Sequence, residues 1–218
     1  MVNILRILII GGGAVAEELL SKLDLKKHEV IVVEKDPVRR KDLALKYDVV
    51  VIDRDATDVS LYTSDVRMDE IDVVIALTGR NEINLFALAI ARMYNIPFRI
   101  AKVTDIRIAE LLQRLGLGVP ISQPSIIASM IASYLDSILQ PSKLGKIGDS
   151  YIYIVTLAET DKAVERKIAD LNLPDDIKIV TIFDGTKIFF PSPDTVLRSG
   201  YQLLILSRSP DITRYFKG

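Results

Sequence analysis

Short runs dominated by Ile, Val and Leu alternate with longer amphipathic stretches through the first half of the chain. Ile4 to Ile10, Val30 to Glu34, Val49 to Ile52, Val73 to Leu77 and Phe98 to Val103 predict strands covered on both faces, because apolar residues fill them almost continuously. Between them, Ala14 to Leu23, Val38 to Lys46, Asn84 to Tyr94 and Ile106 to Leu115 repeat apolar residues at helical spacing. Strand and helix in strict alternation predict a doubly wound parallel sheet, and Val119 to Ile121 offers a sixth strand before Pro124.

Ser125 to Gln140 has another pattern. Ile126, Ile127, Met130, Ile131, Tyr134, Leu135, Ile138 and Leu139 form one broad apolar helical face that has to be covered, either by the chain's own sheet or by a second subunit. Pro141 to Gly148 reads as a linker, since Pro, Ser and Gly break both periodicities there. Beyond it, Tyr151 to Leu157, Ile177 to Phe183, Lys187 to Phe190 and Gln202 to Leu206 are strand candidates, Val164 to Leu171 is a helix candidate, and Asp184-Gly185 marks a tight turn. The expected organisation is a nucleotide-binding domain over 1–123, a crossover helix and linker over 124–143, and a small α+β module over 144–218.

The 28 basic and 29 acidic residues are mixed along the chain, leaving no basic stripe to follow a nucleic-acid backbone. There is no cysteine, which removes disulfides, thiolate metal sites and a cysteine nucleophile. No apolar run reaches the roughly 20 residues of a membrane helix, so direct membrane insertion is not expected.

The most informative residues are Gly11-Gly12-Gly13-Ala14-Val15-Ala16, set directly after the first strand and opening the first helix. This is the Rossmann-type glycine pattern with Ala in its third place: Gly11 allows the tight turn, Gly13 lets backbone approach phosphates, and free amides at the helix start attract an anion. Glu34 ends the second strand, where a carboxylate can accept hydrogen bonds from the hydroxyls of an adenosine ribose and repel a 2′-phosphate. An adenine nucleotide, NAD(H) or ATP/ADP, is therefore the expected ligand; Lys35, Arg39 and Arg40 close to the same strand end weigh against the exclusion of a 2′-phosphate, or are solvated surface charges.

Further along, Arg54-Asp55-Ala56-Thr57-Asp58 follows the third strand, and Ala76-Leu77-Thr78-Gly79-Arg80-Asn81-Glu82-Ile83-Asn84 carries the fourth strand into its helix. Ala101-Lys102-Val103 ends the fifth, and Leu171 to Pro174, Phe190 to Leu197 and Ser199-Gly200 punctuate the last part. Nearly the whole chain resembles the RCK (or KTN) domains of TrkA-type regulatory subunits of potassium channels and transporters. The resemblance implies that Gly11, Gly12, Gly13, Ala14 and Val15 hold phosphates, Glu34 the ribose, Asp55 and Ala56 the adenine end, and Thr78 and Gly79 the distal half, with Lys102 supplying phosphate charge. The chain departs from the family pattern at Ala14, where a longer polar residue is common, at Arg54 for Gly, at Gly79-Arg80-Asn81 for an acidic stretch, and at Lys102 for Arg.

The resemblance also implies a ligand-driven switch, not an enzyme: a cytoplasmic homodimer, or ring of dimers, at the inner face of the membrane, whose conformation a potassium transporter or channel subunit reads. Met1 lies just before the first strand and no pore helix is present, so the expectation is a separate subunit or the soluble product of an internal start. No catalytic residue is assigned. The lone His28 sits in a charged loop, and Asp65, Asp69, Glu70, Asp72, Asp175 and Asp176 read as caps and solvated charges, with no metal. The alternatives are a Rossmann oxidoreductase and a nucleotide-responsive protein serving another membrane partner.

Overall fold

The computed structural model describes residues 4–218, apart from the side chain of Leu139; Met1 to Asn3 of the expected opening and Leu139 of the expected apolar face lie outside the described residues. The chain divides into two compact units, Met1–Ile127 and Ala128–Gly218.

The first unit runs β1 (Arg6–Ile10), α1 (Ala14–Lys22), β2 (Glu29–Val33), α2 (Pro37–Lys46), β3 (Val50–Ile52), β4 (Val73–Ala76), α3 (Asn81–Met93), β5 (Phe98–Val103), α4 (Ile106–Arg114) and β6 (Val119–Ser122). Its parallel strands lie in the order β3-β2-β1-β4-β5-β6, so direction of travel reverses between β1 and β4. In such a sheet the crevice beyond the carboxyl ends at that reversal is where ligands bind. The apolar run of β1 divides by alternation: Leu8 and Ile10 enter one core with Ala87, Leu88 and Leu112, while Ile7 and Ile9 enter the opposite core with Ala16, Leu20 and Leu43. Both faces being covered, no polar residue is tolerated in the strand's middle.

Capping differs among the helices. The Asp36 carboxylate accepts the Val38 and Arg39 amides and starts α2, and Asp105 does the same for the Arg107 amide at α4. α1 begins at Gly13 and has no side-chain cap. Asn95 and Gly116, both at positive φ, end α3 and α4 in the left-handed conformation that lets a chain leave a helix.

His28 is half-buried and accepts the Leu5 amide at Nδ1, which corrects its reading as a purely solvated loop residue. The segment between β3 and β4 holds a π-turn at Leu61–Asp65 and a 3-10 turn at Met68–Glu70. Three of its carboxylates are engaged: Asp65 pairs with Arg54, Glu70 with Arg6 and Arg67, and Asp72 accepts the Arg6 amide.

α5 (Gln123–Leu139) spans the division between the units. Ile126, Ile127, Met130, Ile131 and Leu135 on it are about half exposed or more. The second unit continues with β7 (Ser142–Ile147), β8 (Ser150–Thr156), β9 (Ile177–Phe183), β10 (Ile188–Phe189) and β11 (Gln202–Ser207) in an antiparallel sheet ordered β10-β9-β11-β8-β7, followed by α6 (Thr213–Phe216). Two expectations are corrected here. The stretch read as a linker is largely β7, paired with β8 through a turn at Gly148. The expected helix Val164 to Leu171 is only a 3-10 turn at Ile168–Leu171, because Glu165 takes a positive φ and Lys167 bridges antiparallel to Val196.

A buried ion pair closes this unit. Lys217 Nζ donates to Asp161 Oδ2 at 2.8 Å, to the Thr156 carbonyl at 2.5 Å and to the Ile138 carbonyl near the end of α5 at 2.6 Å, so all three ammonium hydrogens have acceptors.

Candidate functional site

The carboxyl ends of β1, β2, β4 and β5 surround a cleft of about 350 Å³. Its floor is the turn from β1 into α1. Gly11 has φ +97°, and a Cβ there would come within 3.1 Å of the Thr78 amide nitrogen, so both conformation and the approach of β4 require glycine. Gly12 fills a different need: its Cβ would stand 2.5 Å from Leu43 Cδ1, and its amide donates to Glu34 Oε2 at 2.8 Å. Gly13 has an ordinary φ of −76°, and a Cβ there would meet nothing nearer than Arg39 Nη1 at 3.7 Å. Glycine at residue 13 is therefore unexplained by the fold itself. It leaves open the space in front of the uncapped amides of α1, as a phosphate-binding turn requires.

Glu34 is buried, with an amide on each oxygen: Gly12 on Oε2 and Asp36 on Oε1, both at 2.8 Å. A carboxylate has roughly four lone-pair sites, so capacity remains for ribose hydroxyls. Asp55 accepts the Thr57 amide and hydroxyl and pairs with Lys35 at 3.0 Å; these bonds, the Thr57 amide foremost, hold its carboxyl down to about 2. Beside it, buried Tyr62 donates to the Ala56 carbonyl at 2.8 Å, and burial raises the phenol above its ordinary range.

Gly11, Gly13, Ala14, Glu34, Asp55, Ala56, Thr78, Gly79 and Lys102 all line this cleft. Gly12 and Val15 do not; Gly12 faces the Glu34 stem and Leu43, and Val15 is partly exposed on α1. Val33, Leu77 and Ile83, and the cations Lys35, Arg39, Arg54 and Arg80, also line the cleft. Of the cations, Lys35 is paired with Asp55, Arg54 with Asp65, and Arg80 lies 3.7 Å from Glu82. Among the described residues Arg39 and Lys102 have no ion-pair partner. Asn84 also escaped the sequence reading as a site residue; buried in α3, it fastens Thr78 and the Lys102 backbone from beneath.

No group of three or more His, Cys, Asp or Glu side chains able to hold a metal occurs among the described residues. No helix among them is long and apolar enough to cross a membrane.

The TrkA-N domain model matches residues 7–123 and the TrkA-C domain model residues 152–217. The chain is similar to the Trk system potassium uptake protein TrkA homolog of Methanothermobacter thermautotrophicus, 28% identical over 220 residues, covering 97% of this chain and 99% of that protein. Among solved structures it is similar to the GsuK RCK domain, with TM-score 0.69 and 18% identity over 94% of this chain. It is similar also to the GsuK channel bound to NAD, with TM-score 0.64 and 19% identity over 94% of this chain. This chain spans 45% and 37% of those two chains, less than half of each.

Proposed function

The chain belongs to the TrkA-N family, and from that premise we propose that it is a nucleotide-sensing regulatory subunit of a membrane potassium transporter or channel. It binds NAD(H) or ATP/ADP in the cleft of the first unit and changes conformation without transforming the ligand. The observation that carries this reading is Gly13: a backbone position that the fold does not need as glycine, open toward uncapped helix amides, with unpaired Arg39 and Lys102 on the same cleft. A relative of nearly equal length named for potassium uptake supports the role, and an RCK fold neighbour bound to NAD supports the ligand class.

The carboxylates of the cleft argue against proton-transfer chemistry. Glu34 has an amide on each oxygen, and Asp55, held at about 2, is a weak base near neutral pH. A switch needs a ligand whose affinity differs between two conformations. The half-exposed apolar residues of α5 support a second copy of the chain as their cover, making the working unit at least a homodimer at the cytoplasmic face of the membrane.

Calorimetric titration with NADH, NAD, ATP, ADP and AMP, alongside a molar-mass measurement, tests the proposal. Binding of one pair with unequal affinities by a dimer supports it. Failure of all five to bind overturns the nucleotide reading, and a monomeric species overturns the assembly.

A further inference from the structure

Resting on the nucleotide reading, we propose that Arg39 is a diphosphate-binding residue, supplying from α2 the side-chain contact to phosphates that the β1–α1 turn itself lacks. Ala14, at the first helical position of α1, offers only a methyl group. Across the cleft edge, the guanidinium of Arg39 brings Nη1 within 3.7 Å of the point a Cβ on Gly13 would occupy, and so stands beside the space in front of the α1 amides.

The other cations nearby are committed elsewhere. Arg40, the next residue along, bonds to Asp53 and to the Lys35 carbonyl; Lys35 bonds to Asp55 and Arg54 to Asp65. Arg39 is held in place only through its backbone, whose amide is fixed by the Asp36 cap at 3.2 Å. A fixed helix start with an uncommitted guanidinium is suited to a ligand: the planar fork can bond two phosphate oxygens at once.

Topology supplies the complement. α2 follows β2 on one flank of β1, while Lys102 comes from β5, beyond β4 on the other flank. The two unpaired cations thus line the cleft from opposite flanks of β1, and a diphosphate, carrying negative charge on each bridged phosphate, matches them. A 2′-phosphate would lie at the adenosine ribose, where the Glu34 carboxylate opposes it.

The test is titration of the full chain and of Arg39→Ala, Arg39→Lys and Arg40→Ala with ADP, NADH, NADPH and adenosine. Loss of a charge-assisted hydrogen bond corresponds to about a ten-fold or greater weakening. Arg39→Ala is expected to weaken ADP and NADH by that factor and to leave adenosine unchanged, with Arg39→Lys intermediate and Arg40→Ala close to the parent. Equal loss for adenosine and ADP, or no loss for ADP, overturns the assignment. Weakening confined to NADPH moves Arg39 to a 2′-phosphate and also overturns it. If the unmodified chain binds none of the four, the nucleotide reading falls and this assignment with it; if it binds ADP and the variants do so equally, only the Arg39 assignment falls.

Discussion

The side-chain amide of Asn84 holds Thr78 at both ends. Its Oδ1 accepts the Thr78 hydroxyl at 2.7 Å and the Thr78 amide at 3.1 Å, and its Nδ2 donates to the Thr78 carbonyl at 3.2 Å and the Lys102 carbonyl at 2.9 Å. One buried residue of α3 thereby sets the ends of β4 and β5, and with them one wall of the cleft. Replacing it by Ala orphans partly buried backbone groups of Thr78 and Lys102, at up to about 1–3 kcal/mol for each left unsatisfied. Asn84→Ala is expected to lower unfolding free energy by a few kcal/mol and to weaken nucleotide binding, whereas Asn84→Asp, which keeps the acceptor but loses both donors, is expected to be no better. Denaturant melts with and without ligand check this; a variant as stable as the parent contradicts it.

The three glycines of the β1–α1 turn separate folding from binding. Gly11→Ala meets positive φ and the Thr78 backbone, so the expected result is a destabilised fold. Gly13→Val has an allowed φ, and a Cβ there meets only Arg39 Nη1 at an ordinary contact distance of 3.7 Å, so the expected result is a protein that still folds, less stable by about 1 kcal/mol because Val is a poorer N-cap than Gly, yet no longer binds nucleotide. Glu34→Ala removes the acceptor of the Gly12 and Asp36 amides as well as any ribose contact, so loss of binding in that variant mixes two causes. Gly13→Val read by calorimetry and thermal melting is the cleaner experiment, and retained affinity in it contradicts the placement of phosphates at Gly13.

Much of the first unit was legible because β1 needs apolar side chains on both faces and α1 needs a glycine turn before it, and both demands leave local marks. The state of Arg39 was not legible. Lys35, Arg39 and Arg40 look equivalent along the chain, and which of them is left unpaired depends on Asp53 and Asp55 from the next strand's end. Asn84 carried a signal that went unread, a polar residue among Ile83, Ala87 and Leu88 on the buried side of a helix. In the second unit, β7 was hidden because an edge strand needs little apolar content: Lys143 and Lys146 lie over the Tyr151 ring. The false helix at Val164 has the right spacing, but the pairing of Lys167 with Val196, distant in sequence, decides the backbone.

Acid should act on the turns before the cores. Asp184 in the β9–β10 turn accepts the Lys187 and Thr186 amides and the Thr186 hydroxyl, which hold its carboxyl at about 2, as the bonds at Asp55 do there. A carboxyl whose folded value lies below its ordinary 3.8 stabilises fully above that value and loses the contribution as pH falls toward 2. The parent is expected to be more stable than Asp184→Asn at neutral pH, with the difference shrinking between about 4 and 2. Melts at stepped pH check the sign; a difference that grows on acidification contradicts it.

The pair between Lys217 and Asp161 makes the last residues of the chain structural. Both side chains are nearly buried, at 5% and 7% exposure, and Asp161 Oδ2 also accepts the Ala158 amide at 2.8 Å. Burying two charges is costly, and the attraction between them offsets that cost only while both are present. Lys217→Met strands the Asp161 carboxylate and the Thr156 and Ile138 carbonyls, so a loss of about 3–5 kcal/mol is expected. Lys217→Met with Asp161→Leu removes both charges and is expected to recover part of it. The same lysine grips the Ile138 carbonyl near the end of α5, where burial also brings Ser137 against Thr156. Amide exchange over 135–139 should therefore accelerate in Lys217→Met and in a chain cut after Phe216. Unchanged protection there would mean that α5 is held by its packing alone and that the ion pair serves only the fold around Asp161.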